Sequence, residues 1–473
     1  MSDEQKVDSL GLYGNPVVRT PALEQLAARG VLFDHAFVPY PVCVPSRVSF
    51  FTGRYPRAHG SRANPILMEP SEVHLPGLLK ERGYRLGLVG KNHCFRPEQL
   101  AAFDEFYEVS HRGPVQPSDD PEIEGAKAFQ SQPWLLNGPC ASAVNPFPPE
   151  KCGTALIGER ATRFIRESRD QPFFLWVSIA DPHTPFQVPE PYASLYTPAE
   201  AILPPKDDLC GKPERQRIAR HMFGMDDVEE DVLRRAIAIY WGMVRFVDDQ
   251  VKRLLDTLEE TGLLEDTLII FTTDHGEYLG EHGLIRKSNA LYDCLVRVPL
   301  LVSWPSVVRA GERRSELVET VGVMPTILDL LGWPIPAGVQ GQTFASLLRG
   351  DGGYAREAVF AEVGFEGQPA GWDELRDIPS GPLDGRFFPW GARGEAWQGR
   401  GKMGRTHDWK LVRYETGEGE LYDLRADPYE LRNRIDDPAC EPVVRDLEGR
   451  LLRWLIATED TLPPMPAGAI TMA

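Results

Sequence analysis

No stretch of the 473 residues contains the roughly 18 consecutive apolar residues that a membrane helix needs, so a spanning helix is not expected. Basic residues are the minority: 51 Lys and Arg stand against 69 Asp and Glu, a formal charge of −18. Nucleic acid and anionic membrane both demand a basic surface, so neither is expected as the main partner. A small anionic substrate stays compatible, because a local basic pocket can sit in an acidic protein. Cysteines are few and odd in number, seven at positions 43, 94, 140, 152, 210, 294 and 440, without the paired spacing of zinc ligands. A complete internal disulfide set is therefore impossible and reduced thiols are expected, Cys140 and Cys152 being the only pair close enough in sequence to consider. No internal repeat is visible. The polar opening Ser2-Asp3-Glu4-Gln5 has neither a signal peptide nor an apolar strand before it, and a cytoplasmic location is the expectation.

What is present suffices for a large core: 42% of residues are hydrophobic and 25% charged, and the length suggests two domains. Thr20-Pro21, with Leu23, Leu26 and Ala27 and a closing Gly30, predicts a short helix with Thr20 as N-cap. Strands are predicted at 86–90, 173–180, 268–272 and 298–303, and helices at 154–168, 230–261 and 326–331. Buried strands alternating with helices predict an α/β fold, a large mixed, mostly parallel sheet flanked by helices. After about residue 350 the pattern changes. Residues 364–404 are rich in Gly, Pro and Trp and read as a long surface loop. Trp409–Tyr414 and Glu420–Leu424 form a hairpin across Thr416-Gly417, and residues 440–457 a closing helix. The expected division is a catalytic domain over 1–350 and a smaller C-terminal α+β domain over 351–473, with 111–150 as an inserted loop bordering the pocket.

In sheets of this kind ligands gather at the carboxyl ends of strands. Three predicted strands end in chemistry: Lys91-Asn92-His93, Asp181-Pro182-His183 and Thr273-Asp274-His275-Gly276. Lys91 and His93 lie two apart, so extended backbone would aim both to one side. Asp274 and His275 follow a strand directly, where one loop can aim both at one cation. The sharpest local signal is Cys43-Val44-Pro45-Ser46-Arg47, followed by Thr52-Gly53-Arg54.

On these motifs and their order the chain resembles the sulfatase family within the alkaline phosphatase superfamily. Lys287 before Leu291-Tyr292, Arg297-Val298-Pro299, and Glu420-Leu421-Tyr422-Asp423-Leu424 with Asp427-Pro428 and Glu430 extend the match. The resemblance implies an alkaline phosphatase-like fold and hydrolysis of a sulfate monoester. It implies that a formylglycine-generating enzyme oxidises Cys43 to Cα-formylglycine, whose hydrate is the nucleophile. Asp3, Glu4, Asp274, His275 and the oxidised Cys43 would hold one divalent metal, calcium by family habit. The imidazole of His275 suits a softer ion than calcium, which keeps magnesium, manganese and zinc open. Lys91 and His93 would hold sulfate and the nucleophile's oxygens, Lys287 a sulfuryl oxygen, and Arg47 the hydrated aldehyde. His183 would be the general acid or leaving-group ligand. His59, His74 and His282 are read as structural.

The resemblance breaks at the start. Family members carry an apolar strand immediately before the paired acids, and here Met1 stands where that strand would end, with Glu4 in place of the more usual second Asp. Either the recorded start lies downstream of the true one, which is favoured, or a central strand is lost, leaving two sheet edges unpaired and Asp3 and Glu4 without rigid support. Two other readings stand beside sulfate hydrolysis: a phosphonate monoester or phosphodiester hydrolase of the same superfamily, and a non-catalytic binding homologue.

Overall fold

The structure is a computed structural model that describes residues 1–138, 140–206, 209–364 and 399–459. The central strands in chain order are β1 (Val31–Phe37), β2 (Arg85–Gly90), β3 (Glu105–Ser110), β4 (Phe173–Ser178), β5 (Ile269–Thr272), β6 (Arg297–Ser303) and β7 (Glu312–Glu319). They form two half-sheets, one ordered β7-β1-β6-β5 and the other running β3-β2-β4 with the short strand Gly113–Pro114 outside β3. β1 and β7 pair in parallel, as β2 does with both β3 and β4, while β6 runs antiparallel to β1 and β5. The sheet is mixed, as expected.

Residues 1–3 join the halves. Ser2 N donates to Thr272 O at 3.0 Å on one side, and Ile179 N donates to Met1 O at 2.9 Å on the other. Thr273 Oγ1 reaches Ser2 O at 3.0 Å, and Asp3 N reaches Asp181 O at 3.3 Å. Asp3 and Glu4 keep support: the loop after β4 holds Asp3 N through Asp181 O, and the loop after β5 holds Glu4 N through Asp274 Oδ1.

Helices cover both faces: α1 (Pro21–Ala28), α2 (Cys43–Thr52), α3 (Gly153–Glu167), α4 (Glu230–Glu260), α5 (Val323–Leu330) and the closing α6 (Glu441–Ala457). Val244, Val247 and Leu255 of α4 share one buried apolar cluster with Leu32 and Val89, while Phe51 of α2 and Leu328 of α5 share another with Trp176 and Leu300. Successive strand residues alternate between these clusters, as pleating requires. The start of α1 differs from expectation. Thr20 makes no side-chain cap; the carboxylate of Asp248 on α4 accepts from Ala22 N and Leu23 N at 3.1 and 2.9 Å instead. A capping oxygen that arrives from 225 residues away leaves no local signature.

The inserted loop is more ordered than its composition suggests. It carries the helices Pro121–Gln130 and Pro133–Asn137 and the strand Ser142–Asn145, which pairs in parallel with Phe186–Pro189. The C-terminal sheet orders β8 (Val359–Val363), β9 (Gly401–Arg405), β10 (Trp409–Tyr414) and β11 (Gly419–Asp423), all antiparallel. The hairpin and closing helix are where sequence placed them. Of the expected loop 364–404, residues 365–398 lie outside the described residues, and its end is a strand whose two glycines hid it. Asp293 ties this sheet to the rest: Arg405 meets it at 2.9 Å and Lys410 at 2.5 Å, and Lys410 also reaches Glu430 at 2.7 Å. All seven cysteines are free. No described helix is long and apolar enough to cross a membrane.

Candidate active site

Cys43 opens α2, where the unpaired N–H groups of the first turn favour negative charge on its side chain. Arg47 follows one turn later and so shares its side of the helix. The guanidinium is fully buried, and four of its five N–H donors are engaged. Nε donates to Asp274 Oδ2 at 2.8 Å, one terminal nitrogen to Asp3 Oδ2 at 2.7 Å, and the other to Lys91 O at 3.0 Å and Ser178 Oγ at 2.8 Å. Sequence assigned Arg47 to the hydrated aldehyde. The structure commits its donors to the carboxylates and the β2 and β4 termini, which makes it the clamp that sets two acids side by side.

With both Oδ2 atoms taken by Arg47, the two Oδ1 atoms face inward. Cys43 Sγ lies 3.8 Å from Asp3 Oδ1 and 3.3 Å from His275 Nε2, which is 3.9 and 3.8 Å from the Oδ1 atoms of Asp3 and Asp274. One potential ligand atom from each of Asp3, Cys43, Asp274 and His275 lies within 4.8 Å of all the others, and all four residues are buried. His275 Nδ1 donates to Gly276 O at 2.8 Å, which leaves Nε2 facing the cluster; against burial, Asp274 and Cys43 raise the imidazole to about 9, so a bound cation would take the place of the Nε2 proton. Burial would raise the Asp3 carboxyl, but Lys91 and Arg47 hold it well below the usual range. Asp274 is also lowered: burial and Asp3 oppose ionisation, and Arg47 and His275 favour it. Two ionised oxygens, an imidazole nitrogen that gives up its proton to the ion, and the Cys43 side chain fit a divalent cation. Cys43 is the unmodified thiol; its Sγ marks the place of the oxygens that an oxidised side chain would present.

Glu4 stands apart from this group. It adopts φ 58°, its Oε2 lies 3.1 Å from Lys287 Nζ and 3.0 Å from His183 Nε2, and its backbone N–H donates to Asp274 Oδ1 at 3.1 Å. Sequence placed Glu4 among the metal ligands; the structure turns its side chain to the two residues expected to meet the substrate. Its Oε1 is buried without a partner among the described residues.

The cationic side is made by Lys91, Lys287 and the histidines. Lys91 Nζ contacts Asp3 Oδ2 and lies 3.5 Å from Cys43 Sγ. Its position depends on Gly90, at φ 113°, where a Cβ would sit 1.9 Å from Ser178 O. Lys287 Nζ is 2.8 Å from His183 Nε2. His183 Nδ1 donates to Thr184 O at 2.6 Å. Burial and the neighbouring His111 and Lys287 push His183 well below the ordinary histidine value, so it rests neutral. His93 is not in extended backbone as expected. At φ 51° it turns out of line with Lys91, and its buried Nδ1 has no partner among the described residues. Against opposing effects of burial and Asp3, Lys287 and Lys91 bring the Cys43 thiol below its usual value.

The sequence profile of the Sulfatase family matches residues 1–333. The chain belongs to the sulfatase family. The uncharacterized sulfatase YidJ of Escherichia coli K12 is 28% identical over 476 residues, covering 97% of this chain and 87% of that protein. The iduronate 2-sulfatase of Mus musculus is 31% identical over 374 residues, 69% of this chain and 67% of that protein. Among solved structures, the phosphonate monoester hydrolase of Agrobacterium radiobacter superposes with a TM-score of 0.76 at 24% identity, over 96% of this chain and 94% of that one. At that identity the likeness speaks to the alkaline phosphatase-like fold alone.

Within this sulfatase-family site, sequence reasoning missed the residues that hold others in place. Ser178 closes the Arg47 clamp, and Thr273 Oγ1 accepts from Gln5 N at 3.2 Å. Tyr240 of α4 donates to Glu4 O at 2.7 Å and accepts from Lys6 N at 2.8 Å. His111 stacks on His183 with ring centroids 3.7 Å apart. Ser178 and Tyr240 carry no motif, and Thr273, inside the run Thr273-Asp274-His275-Gly276, has no role assigned by sequence. The one available hint was that the segment beginning at residue 111 borders the pocket. His59 and His74 are structural as expected: one lies 2.9 Å from Ser49 Oγ, and the other accepts from Gly77 N to cap the helix Leu75–Glu81.

Proposed function

We propose that the protein hydrolyses a sulfate monoester to an alcohol and inorganic sulfate, using residue 43 as nucleophile after its oxidation to formylglycine. One observation carries the reading: ligand atoms of Asp3, Asp274 and His275 converge with Cys43 within 4.8 Å, and Lys91 stands 3.5 Å from that side chain. A divalent cation held by Asp3, Asp274, His275 and residue 43 would polarise a sulfuryl oxygen and favour the ionised nucleophile. Formylglycine supplies a hydrated aldehyde, one hydroxyl to attack sulfur and a second whose deprotonation releases sulfate.

The chain's own residues do the remainder. Lys91 and Lys287 bring two ammonium groups to the nucleophile's surroundings, where they stabilise the charge that develops on the sulfuryl oxygens. Arg47 keeps Asp3 and Asp274 together in spite of their repulsion. The Lys287 ammonium, 2.8 Å from His183 Nε2, would pass a proton to that nitrogen, and the imidazolium so formed would give it to the departing alkoxide, leaving the free alcohol and a neutral Lys287 amine. Glu4 fixes the Lys287–His183 pair. The metal is calcium by family habit, with the imidazole of His275 keeping softer ions in contention.

Mass analysis of the tryptic peptide containing Cys43, from protein made with a formylglycine-generating enzyme, tests the first requirement. Oxidation makes the peptide about 18 Da lighter than the thiol form. Turnover of 4-nitrophenyl sulfate by the oxidised protein, compared with that of a phenyl phosphonate monoester, tests the second. Dominant phosphonate turnover overturns the sulfate assignment, and no turnover of either ester by fully oxidised, metal-loaded protein favours the binding homologue.

A further inference from the structure

We infer that His111 is a further substrate-contacting residue, donating a hydrogen bond to the oxygens of the esterified anion on its leaving-group side. The inference deepens the hydrolase reading and rests on it for the identity of the anion.

His111 follows β3 at a tight turn that Ser110 fixes: its Oγ donates to Gly113 O and accepts from Arg112 N, each at 3.1 Å. The turn lays the His111 ring on that of His183, with centroids 3.7 Å apart and planes inclined by 21°. A ring nitrogen of each histidine and a carboxylate oxygen of Asp3 lie within 4.8 Å of one another, so His111 points inward, toward the floor of the site. Its Nδ1 is buried and has no hydrogen-bond partner among the described residues. An unpaired polar atom shut away from water is costly, and its retention in a reaction site calls for a ligand to complete it.

The ligand's charge follows from the neighbours. A cation is a poor candidate for the Asp3, His111 and His183 group. The Lys91 ammonium already occupies Asp3 Oδ2, and Lys287 occupies His183 Nε2. Of the groups that act on the His111 ring, Lys91 and Lys287 are cationic and Asp3 is anionic, and the charge of Asp3 is already met by Arg47 and Lys91. Such surroundings select an anion. His183 has both nitrogens engaged, one by Thr184 O and one by Lys287. The stacked neighbour brings a ring nitrogen within 4.8 Å of Asp3 and His183, and the neutral tautomer protonated at that nitrogen is the one that would donate to the anion.

Two substitutions separate donation from stacking. His111→Phe keeps a flat ring against His183 and removes both nitrogens. His111→Gln restores a donor without an aromatic ring. Binding of inorganic sulfate is measured by calorimetry on the intact, metal-loaded protein, alongside KM and kcat for 4-nitrophenyl sulfate and the melting temperature. The expected result is about tenfold weaker sulfate binding and a parallel rise in KM for His111→Phe, with partial recovery in His111→Gln and no change in melting temperature. Wild-type sulfate affinity in His111→Phe overturns the proposal, as does a loss confined to melting temperature or kcat. If the wild type cleaves phosphonate rather than sulfate monoesters, the sulfatase reading fails. The same variants titrated with inorganic phosphate then decide His111 separately.

Discussion

Lys287 Nζ lies 2.8 Å from His183 Nε2, with Glu4 Oε2 bridging the two at 3.1 and 3.0 Å. Because Nδ1 of His183 is spent on Thr184 O, Nε2 is the nitrogen that meets a departing oxygen, and Lys287 governs its proton. Lys287→Ala is expected to lower kcat/KM by about 10²–10⁴-fold, most for esters of poorly acidic alcohols. His183→Ala should do the same, and the double variant should lose much less than the product of the two. A leaving-group series of aryl and alkyl sulfates is the measurement.

Arg47 separates two buried carboxylates that would otherwise repel. Arg47→Met leaves Asp274 without its guanidinium and Asp3 with Lys91 alone, and the expected loss of stability is about 3–5 kcal/mol, read by denaturant unfolding without metal. Arg47→Lys keeps the charge but cannot serve Asp3, Asp274, Lys91 O and Ser178 together. It should fold, with weakened metal affinity by calorimetry.

Chelation should abolish turnover, and titrating calcium, magnesium, manganese and zinc back into the chelated protein identifies the ion. Asp274→Asn should shift the activation curve to higher metal concentration and be rescued by excess metal. His275→Asn replaces a nitrogen ligand by an amide oxygen and should move the preference toward calcium or magnesium.

The C-terminal sheet is held by buried charge. Asp293→Ala removes the carboxylate that receives Arg405 and Lys410, and should cost about 3–5 kcal/mol. Limited proteolysis should then cut the region beyond residue 350 sooner than in the wild type.

Acid stability is set partly by His59. Burial depresses it to about 3, well below its value of about 6.5 in an unfolded chain. Between those values the unfolded chain binds the proton and the folded protein does not, so stability falls as pH drops from about 6.5 toward 3. The slope from this group approaches about 1.4 kcal/mol per pH unit. His59→Gln should flatten the curve of melting temperature against pH over that interval.

Much of the site was legible because it is local. Cys43 and Arg47 lie one helical turn apart, and Asp274-His275, Lys91 and His183 follow strands whose apolar runs are plain. The strands β1 and β7 and the helix α2 were not read. His35 interrupts β1, β7 is charged along its length, and α2 begins in a proline-containing turn whose helical character is supplied by packing on α5. Glu4 was assigned by its neighbour Asp3; its left-handed backbone turns the two side chains to different partners.

The sequence by itself determined which chemical groups reach the carboxyl ends of the strands, since each is fixed by a few covalent neighbours. Tertiary structure alone decided which groups face one another. Arg47 lies between Asp3 and Asp274, Lys287 is shared by Glu4 and His183, and His111 lies flat on His183. Those pairs span 44 to 283 residues of chain wherever a bond joins them. Strand order and the turns at strand ends set such distances, and neither is encoded in any short stretch of residues.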